Sequence, residues 1–564
     1  MKYSSALLLA GACLLALPSL VAPVFLWEWI NHAAALSILD GGAPKIALWQ
    51  DRPLLIHPPS VAYLLAAAIR LFGDSAWAMR LPGLCLHLAH GFLIHRLVLA
   101  MGRGSSQGWW AAALYWSNPL AIQGMLCIDF ADGSLLSIAV TAFLWLLFAG
   151  RSQSFWPRSL ALGFCLGFVL WTKLTTPLAL LGAFTLTCAR GRKPEGNPRL
   201  FLAATAVGAA FFIGTWALYC GWIQRSLGLQ QSVMRLMLEP LYYATGGGAG
   251  QAAWNASLMT ILGTWLAFFL YAGPGLVGVG ALEGAQWVKQ AWRDRRFPPH
   301  STLTLFAVTV VLTYCLFFGG ARAYPKYFQP ALAPLCVMGV FFLFQKEFQE
   351  SWRPSWRWAI IFASCAAYYG LVVGDYVYIF NYKLREGQYL GRMIPQGLSL
   401  LLKLCLYSLP AGFLWVFGRG TRHRWAALLL ASQVGLAAAQ GWARYDLRAA
   451  YGTPWSAIRR VETALREQPA GGPALADFAI LQATGVEPVR GFRPSDWDDL
   501  RKIAKLIRDE KPRAVVYGLS VNTVAQLRAI DADQELQELL SSRYTLYRIE
   551  PFRAWLRREE MAHD

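Results

Sequence analysis

Apolar blocks of roughly 20 residues, separated by short polar breaks, recur from the N-terminus to about Gln440. The first, Ala6 to Leu26, contains no charged residue. The hydrocarbon core of a bilayer is about 30 Å thick and takes roughly 20 helical residues to cross. Backbone polar groups inside it must be paired within the segment, so these blocks predict membrane-spanning helices. After the first, spans fall near 81–101, 108–126, 133–149, 159–173, 176–189, 200–222, 254–281, 302–319, 328–345, 357–375, 396–417 and 425–441. The pattern predicts an α-helical polytopic membrane protein of about thirteen transmembrane helices. The first block also has the outline of a signal peptide, with Lys2 before an apolar run. Its apolar part is longer than such a signal uses and no small-x-small site follows before Trp27, so it reads as helix 1.

Near Tyr451 the pattern changes to short alternating elements. Ser456 to Glu467 reads as an amphipathic helix, Ala474 to Ile480 as a strand and Trp497 to Lys511 as a helix; Arg513 to Gly518 and Tyr544 to Ile549 read as further strands. The chain therefore divides into a transmembrane part, 1–445, and a small soluble α/β domain, 446–564. The latter shows no phosphate loop, metal-ligand spacing or nucleophile elbow.

Composition supports this division. The chain is 56% hydrophobic and only 15% charged, with a mean hydropathy of +0.38; a soluble chain carries about 25% charged residues. The formal charge of +19 lies largely in short loops rather than on one soluble face with stacking aromatics, which argues against nucleic acid as a partner. The ten cysteines all lie in or beside apolar blocks, which argues against a disulfide framework. With Met1 cytoplasmic, the basic clusters Arg190 to Lys193, Arg293 to Arg296, Lys346 to Arg357 and Arg419 to Arg424 all fall on the cytoplasmic side, as the positive-inside rule requires. An odd number of spans then puts the C-terminal domain in the periplasm or its equivalent. The longer loops, 27–80, 222–254 and 375–396, share that side. Within the first of them, Glu28 to Leu39 has the spacing of a short interfacial helix ended by Asp40-Gly41-Gly42.

Ionisable residues at membrane depth are costly and mark function by default. Four constellations stand at external helix ends. His57-Pro58-Pro59 breaks the chain and opens a helix, followed by Phe72-Gly73 and Arg80-Leu81-Pro82. Asp129 and Asp132 lie three apart with apolar sequence on both sides; helix capping is their bland reading. Lys173 is the lone charge where two short spans meet, in Thr172-Lys173-Leu174-Thr175-Thr176-Pro177, with snorkelling to the surface as the alternative. Arg322, Tyr324, Lys326 and Tyr327 set two cations beside two phenols, suited to a phosphate or to interfacial anchoring. Lys383, Arg385 and Arg392 are further cations of a later loop. His87, His90 and His95 look like a metal patch, but His95 is turned away from the face of the other two. Buried histidines satisfied by neighbouring helices are the simpler reading.

These motifs, in this order over about the first 330 residues, resemble the GT-C-type integral-membrane glycosyltransferases, the superfamily of protein O-mannosyltransferases and lipid A aminoarabinose transferases. The resemblance implies sugar transfer, with inversion, from a polyprenyl-phosphate donor to an extracytoplasmic lipid, glycan or protein acceptor, without cofactor or indicated metal. It implies that His57, Lys173, Arg322, Tyr324, Lys326 and Tyr327 bind substrate or lipid phosphate, and that Asp132 and Asp129 position the acceptor. The family carries an acid just after helix 1 as its base. Here Ala22 to Val24 hold none, and Glu28 is the nearest carboxylate and the candidate base. Competing readings are a GT-C scaffold without catalysis, a transporter of lipids or saccharides, and a membrane anchor for the α/β domain. A transporter predicts internal repeats with broken helices, and no such repeat is visible.

Overall fold

The computed structural model describes residues 2–22, 24, 26–46, 52–53, 55, 59–125, 131–150, 154–173, 176–190, 197–242, 268, 272–294, 301–316, 325–345, scattered positions of 426–441, and most of 455–558. The spans expected at 357–375 and 396–417 lie outside the described residues.

The helices run in the order α1 (Lys2–Val21), α2 (Leu26–Gly41), α3 (Ser60–Phe72), α4 (Ala76–Ala100), α5 (Ser105–Trp116), α6 (Pro119–Gln123), α7 (Leu136–Ala149), α8 (Phe155–Thr172), α9 (Thr176–Arg190), α10 (Pro198–Ser226), α11 (Val233–Tyr242), α12 (Pro274–Asp294), α13 (Ser301–Leu316) and α14 (Leu332–Leu343). A π-helical turn, Ala131–Leu135, leads into α7, and a 3-10 helix, Pro325–Ala331, leads into α14. Local sequence fixes several starts. Ser75 caps α4 by accepting from the Ala78 amide, and Asn118 and Asn197 cap α6 and α10 just ahead of Pro119 and Pro198; proline suits a first helical turn because its missing N–H has no intrahelical partner there. Among the described residues, α4, α8 and α10 are each long and apolar enough to cross a membrane. The outward leucines and isoleucines of α1 and α10, such as Leu7, Leu14, Ile213 and Leu218, are exposed, as lipid-facing positions are. The span expected at 254–281 is described as a helix from Pro274 that continues to Asp294. Its inner stripe of Glu283, Trp287 and Ala291 stays buried past the end of the apolar block.

The centre of the helical part is α14. Every residue from Leu332 to Leu343 is buried, which fits a helix that is apolar on all sides. Around it the helices approach closely through glycine. On α8, Gly163-x-x-x-Gly167 faces Gly208 of α10. A Cβ at Gly163 would lie 2.5 Å from Val207 Cβ, and one at Gly208 would lie 2.9 Å from the Gly163 carbonyl. Small residues four apart let two helices pack backbone to backbone without relying on a hydrophobic driving force. Where α4 meets α5, Gly91 leaves room for the Trp116 ring, whose Nε1 donates to the carbonyls of His87 and Leu88.

The C-terminal region is a four-stranded sheet, β3 (Ala474–Ala476), β4 (Ala514–Gly518), β5 (Tyr544–Ile549) and β6 (Phe552–Arg557), in the order β3-β4-β6-β5; β1 (Lys45–Ile46) and β2 (Arg52–Pro53) form a small ribbon in the first loop. β3 and β4 are parallel, and the other neighbours are antiparallel. One face is covered by α15 (Trp455–Glu467), the other by α16 (Leu500–Glu510), α17 (Val524–Ala532) and α18 (Gln534–Arg543). β4 is buried at every position, as a central strand should be. Of the strand expected at 474–480, Ala474–Ala476 is described as a strand, and Ile480 packs into the core from a helical position. β6 was not predicted. Its Phe-Arg-Ala-Trp-Leu-Arg follows the sequence Glu550-Pro551, which lacks the Asn-Gly or Gly signal of a hairpin.

Because Gly163 and Gly167 leave no volume at the α8–α10 contact, Gly167→Val should cost about 1–3 kcal/mol by overpacking. Thermal unfolding in detergent should show the loss, with Gly182→Val, which meets open space, as the neutral control.

Candidate active site

The resemblance singles out residues spread over 300 positions, and the fold brings several of their segments together. α8 ends at Thr172, and Lys173 follows in extended conformation (φ −160°, ψ 136°). That turn points its side chain inward: Lys173 is buried, and its Nζ lies 4.0 Å from the centroid of the Tyr327 ring. A cation over a phenol face is stabilised by the ring quadrupole, the more so when desolvated. Lys173 therefore does not snorkel to the surface. Tyr327 sits on the 3-10 helix with Lys326, and that helix packs against the π turn bearing Asp132.

Gln329 ties these pieces. Its side chain is buried and its Nε2 donates to the Leu120 carbonyl at the start of α6. It passes between two glycines: a Cβ at Gly124 would stand 2.0 Å from Gln329 Nε2, and one at Gly133 would stand 2.1 Å from its Oε1. Ser134 Oγ donates to the Gly124 carbonyl at 2.8 Å and closes the same joint. A π turn places one extra residue in a helical turn, and such turns concentrate at functional sites; here it carries Asp132-Gly133 beside the 3-10 helix. From the other side, Ser60, just after His57-Pro58-Pro59, donates to the Trp171 carbonyl at 3.5 Å. Trp171 Nε1 in turn donates to Thr215 Oγ1 of α10 at 2.6 Å. The start of α3 is thus set beside the end of α8.

Glu28 stands in a different arrangement. It is fully buried on α2, and both its oxygens accept from Arg80 of α4, at 3.1 Å from Nε and 3.0 Å from Nη2. Arg80 Nη1 also donates to the carbonyls of Leu20, at 2.9 Å, and Ala22. The C-terminal end of α1, where the resemblance implies an acid, therefore does hold a carboxylate in space, engaged by a guanidinium on both oxygens.

Asp129, His57, Arg322 and Tyr324 lie outside the described residues, as do Lys383, Arg385 and Arg392. Asp132 and Lys326 are described in backbone only. The histidines of α4 have separate environments. His90 bridges Tyr115 Oη and Thr141 Oγ1, each at 2.7 Å, and His95 meets Ser105 Oγ at 3.2 Å. His87 is buried with no hydrogen bond to either ring nitrogen among the described residues. The expectation of histidines satisfied by neighbouring helices holds for His90 and His95, and the His87 ring lies against the face of Tyr115 and beside the backbone of Trp116, both on α5. Among the described residues no three His, Cys, Asp or Glu side chains gather to hold a metal.

Removing one partner of a buried ion pair strands the other, at a cost of about 3–5 kcal/mol, whereas replacing both with apolar groups is often tolerated. Glu28→Gln and Arg80→Gln should therefore each lower the thermal midpoint strongly. The double substitution Glu28→Leu/Arg80→Met should recover only part of the loss, because the Leu20 and Ala22 carbonyls also lose their donor, as read by thermal unfolding in lipid nanodiscs.

Residues 56–217 match the sequence model described as dolichyl-phosphate-mannose-protein mannosyltransferase. No curated protein matches the sequence. Among solved structures, ArnT from Cupriavidus metallidurans bound to undecaprenyl phosphate superposes with a TM-score of 0.65 at 15% identity, covering 100% of both chains. The same protein in its apo state gives 0.59 at 15% identity, covering 98% of each chain. At this identity the likeness speaks to fold, and the fold agrees with the mannosyltransferase pattern in residues 56–217. The chain has the GT-C fold of the integral-membrane glycosyltransferases.

Proposed function

We propose that the protein transfers a sugar from a polyprenyl-phosphate donor to an extracytoplasmic lipid, glycan or protein acceptor by a single displacement with inversion. The observation that carries this reading is the buried Lys173 ammonium against Tyr327, where the π turn of Asp132, the 3-10 helix of Lys326 and the start of α3 meet. A cation desolvated beside an acid-bearing turn suits a reaction in which negative charge moves onto a leaving phosphate. The acceptor hydroxyl attacks the anomeric carbon, and the bond to the phosphate oxygen breaks with its electron pair on that oxygen. Lys173, Lys326 and Arg322 stabilise the phosphate, with Tyr324, Tyr327 and His57 lining its seat. Fixed charges aimed at developing charge supply the largest share of such catalysis. The proton passes to a carboxylate of the Asp129–Asp132 turn, since a base must come within hydrogen-bond reach of the hydroxyl. Glu28, with both oxygens on Arg80, takes the part of holding α1, α2 and α4 in place. The undecaprenyl phosphate of the ArnT structure supports a lipid-phosphate donor.

In this reading the protein lies in the cell inner membrane with about thirteen spans, a cytoplasmic N-terminus and residues 446–564 outside the cytoplasm. The positive-inside distribution of the loops supports that orientation.

Vesicles bearing polyprenyl-phosphate sugars test the proposal. Lys173→Ala and Asp132→Asn should each lower kcat by about 10²–10³-fold, the effect of losing one group aimed at transition-state charge. Unchanged transfer in both would overturn the site.

A further inference from the structure

The C-terminal domain meets the first external segment through both apolar and polar contacts. Trp455, the first residue of α15, belongs to two packed clusters at once. On one side it lies against the domain core of Ala457, Ile458 and Val461, which also takes in Val24 and Ala76 from the membrane part. On the other it packs with Ala35, Leu65, Met79 and Leu135, the last of these closing the π turn. Polar contacts run alongside. Asp74, in the turn between α3 and α4, accepts from Arg459 on one oxygen and meets His32 Nε2 on the other at 2.7 Å. Arg459 also donates to Glu462, which pairs with Arg466 at 2.6 Å. The Arg459 guanidinium lies 5.1 Å from the Trp455 ring, and the His32 ring meets Trp455 edge-on at 5.0 Å.

Spacing gives the network its reach. Glu28 and His32 are four apart on α2 and so share a face. One engages Arg80 and the other Asp74, on either side of the start of α4. Burial pushes His32 down to about 3, helped by Arg459 and opposed by Glu462, so the ring is neutral at pH 7 and donates a hydrogen to Asp74. α2 is thus fixed at one point by Arg80 of α4 and at the next by Asp74, which Arg459 of the C-terminal domain engages in turn.

We propose that the C-terminal domain is a latch for the first external segment: Arg459, through Asp74 and His32, and Trp455, through the cluster ending at Leu135, are positioning residues for α2 and the π turn. The effect on transfer rests on the glycosyltransferase reading, but the latch itself does not.

The test uses the full chain in nanodiscs. Hydrogen exchange should rise about tenfold across Leu26–Gly41 in Arg459→Ala and in Asp74→Asn, as local opening becomes easier, while exchange in α14 stays unchanged. The charge-exchanged pair Asp74→Arg/Arg459→Asp should restore protection. In the vesicle assay with polyprenyl-phosphate sugars, both single variants should lose about tenfold in kcat with donor KM within about twofold, since the latch orients the π turn rather than touching the donor, and misplaced reacting groups cost rate. Unaltered exchange in Leu26–Gly41 for both single variants would sink the latch. Raised exchange in both single variants, together with a wild type that transfers no sugar, would leave the latch standing and remove the transferase reading instead.

Discussion

A guanidinium with no water around it has to find acceptors, and Arg80 finds them on two other helices. Two carbonyls at the end of α1 and the carboxylate of α2 converge on it from either side of α4. Backbone carbonyls at a helix C-terminus lack intrahelical donors, so Arg80 satisfies groups that would otherwise be costly to bury, and Glu28 balances its charge. A buried ion pair is weak evidence for stability in itself; its strength here is geometric. The planar fork allows one orientation of three helix ends, and that orientation sets where the segment after α1 begins.

From this point, positions propagate by contact. α2 packs on α3, α3 opens beside the end of α8, and the last turn of α8 presents Lys173 to Tyr327. Gln329, held between two glycines, keeps the 3-10 helix and the π turn in step from the other side. The groups that would handle a phosphate thus sit on element ends whose places are fixed by packed helices, an arrangement suited to preorganised electrostatics.

Much of the fold was legible because long apolar blocks and basic clusters are local signals. The helix after Pro59, the break at Lys173 and the strands of Ala514 to Gly518 and Tyr544 to Ile549 all follow from runs of neighbouring residues. The site was legible only through motifs, and its joints were not. Arg80 and Glu28 are 52 residues apart, and nothing local announces that they pair. Gln329 stands in an apolar run as a single amide; it bonds a carbonyl 209 residues away, and the glycines that make room for it lie on two other segments. Likewise β6, with two arginines in six residues, takes its strand form from pairing with β4 and β5 rather than from its own alternation.

The helix at the centre also bears on how the protein is made. Leu332–Leu343 is surrounded on every side, and its 12 residues span only about 18 Å at 1.5 Å each. It leaves the ribosome after α1 to α13, several of which pack around it. Those earlier helices cannot reach their final contacts while the place between them is empty. The final packing of the bundle therefore waits on a segment that comes late in the chain.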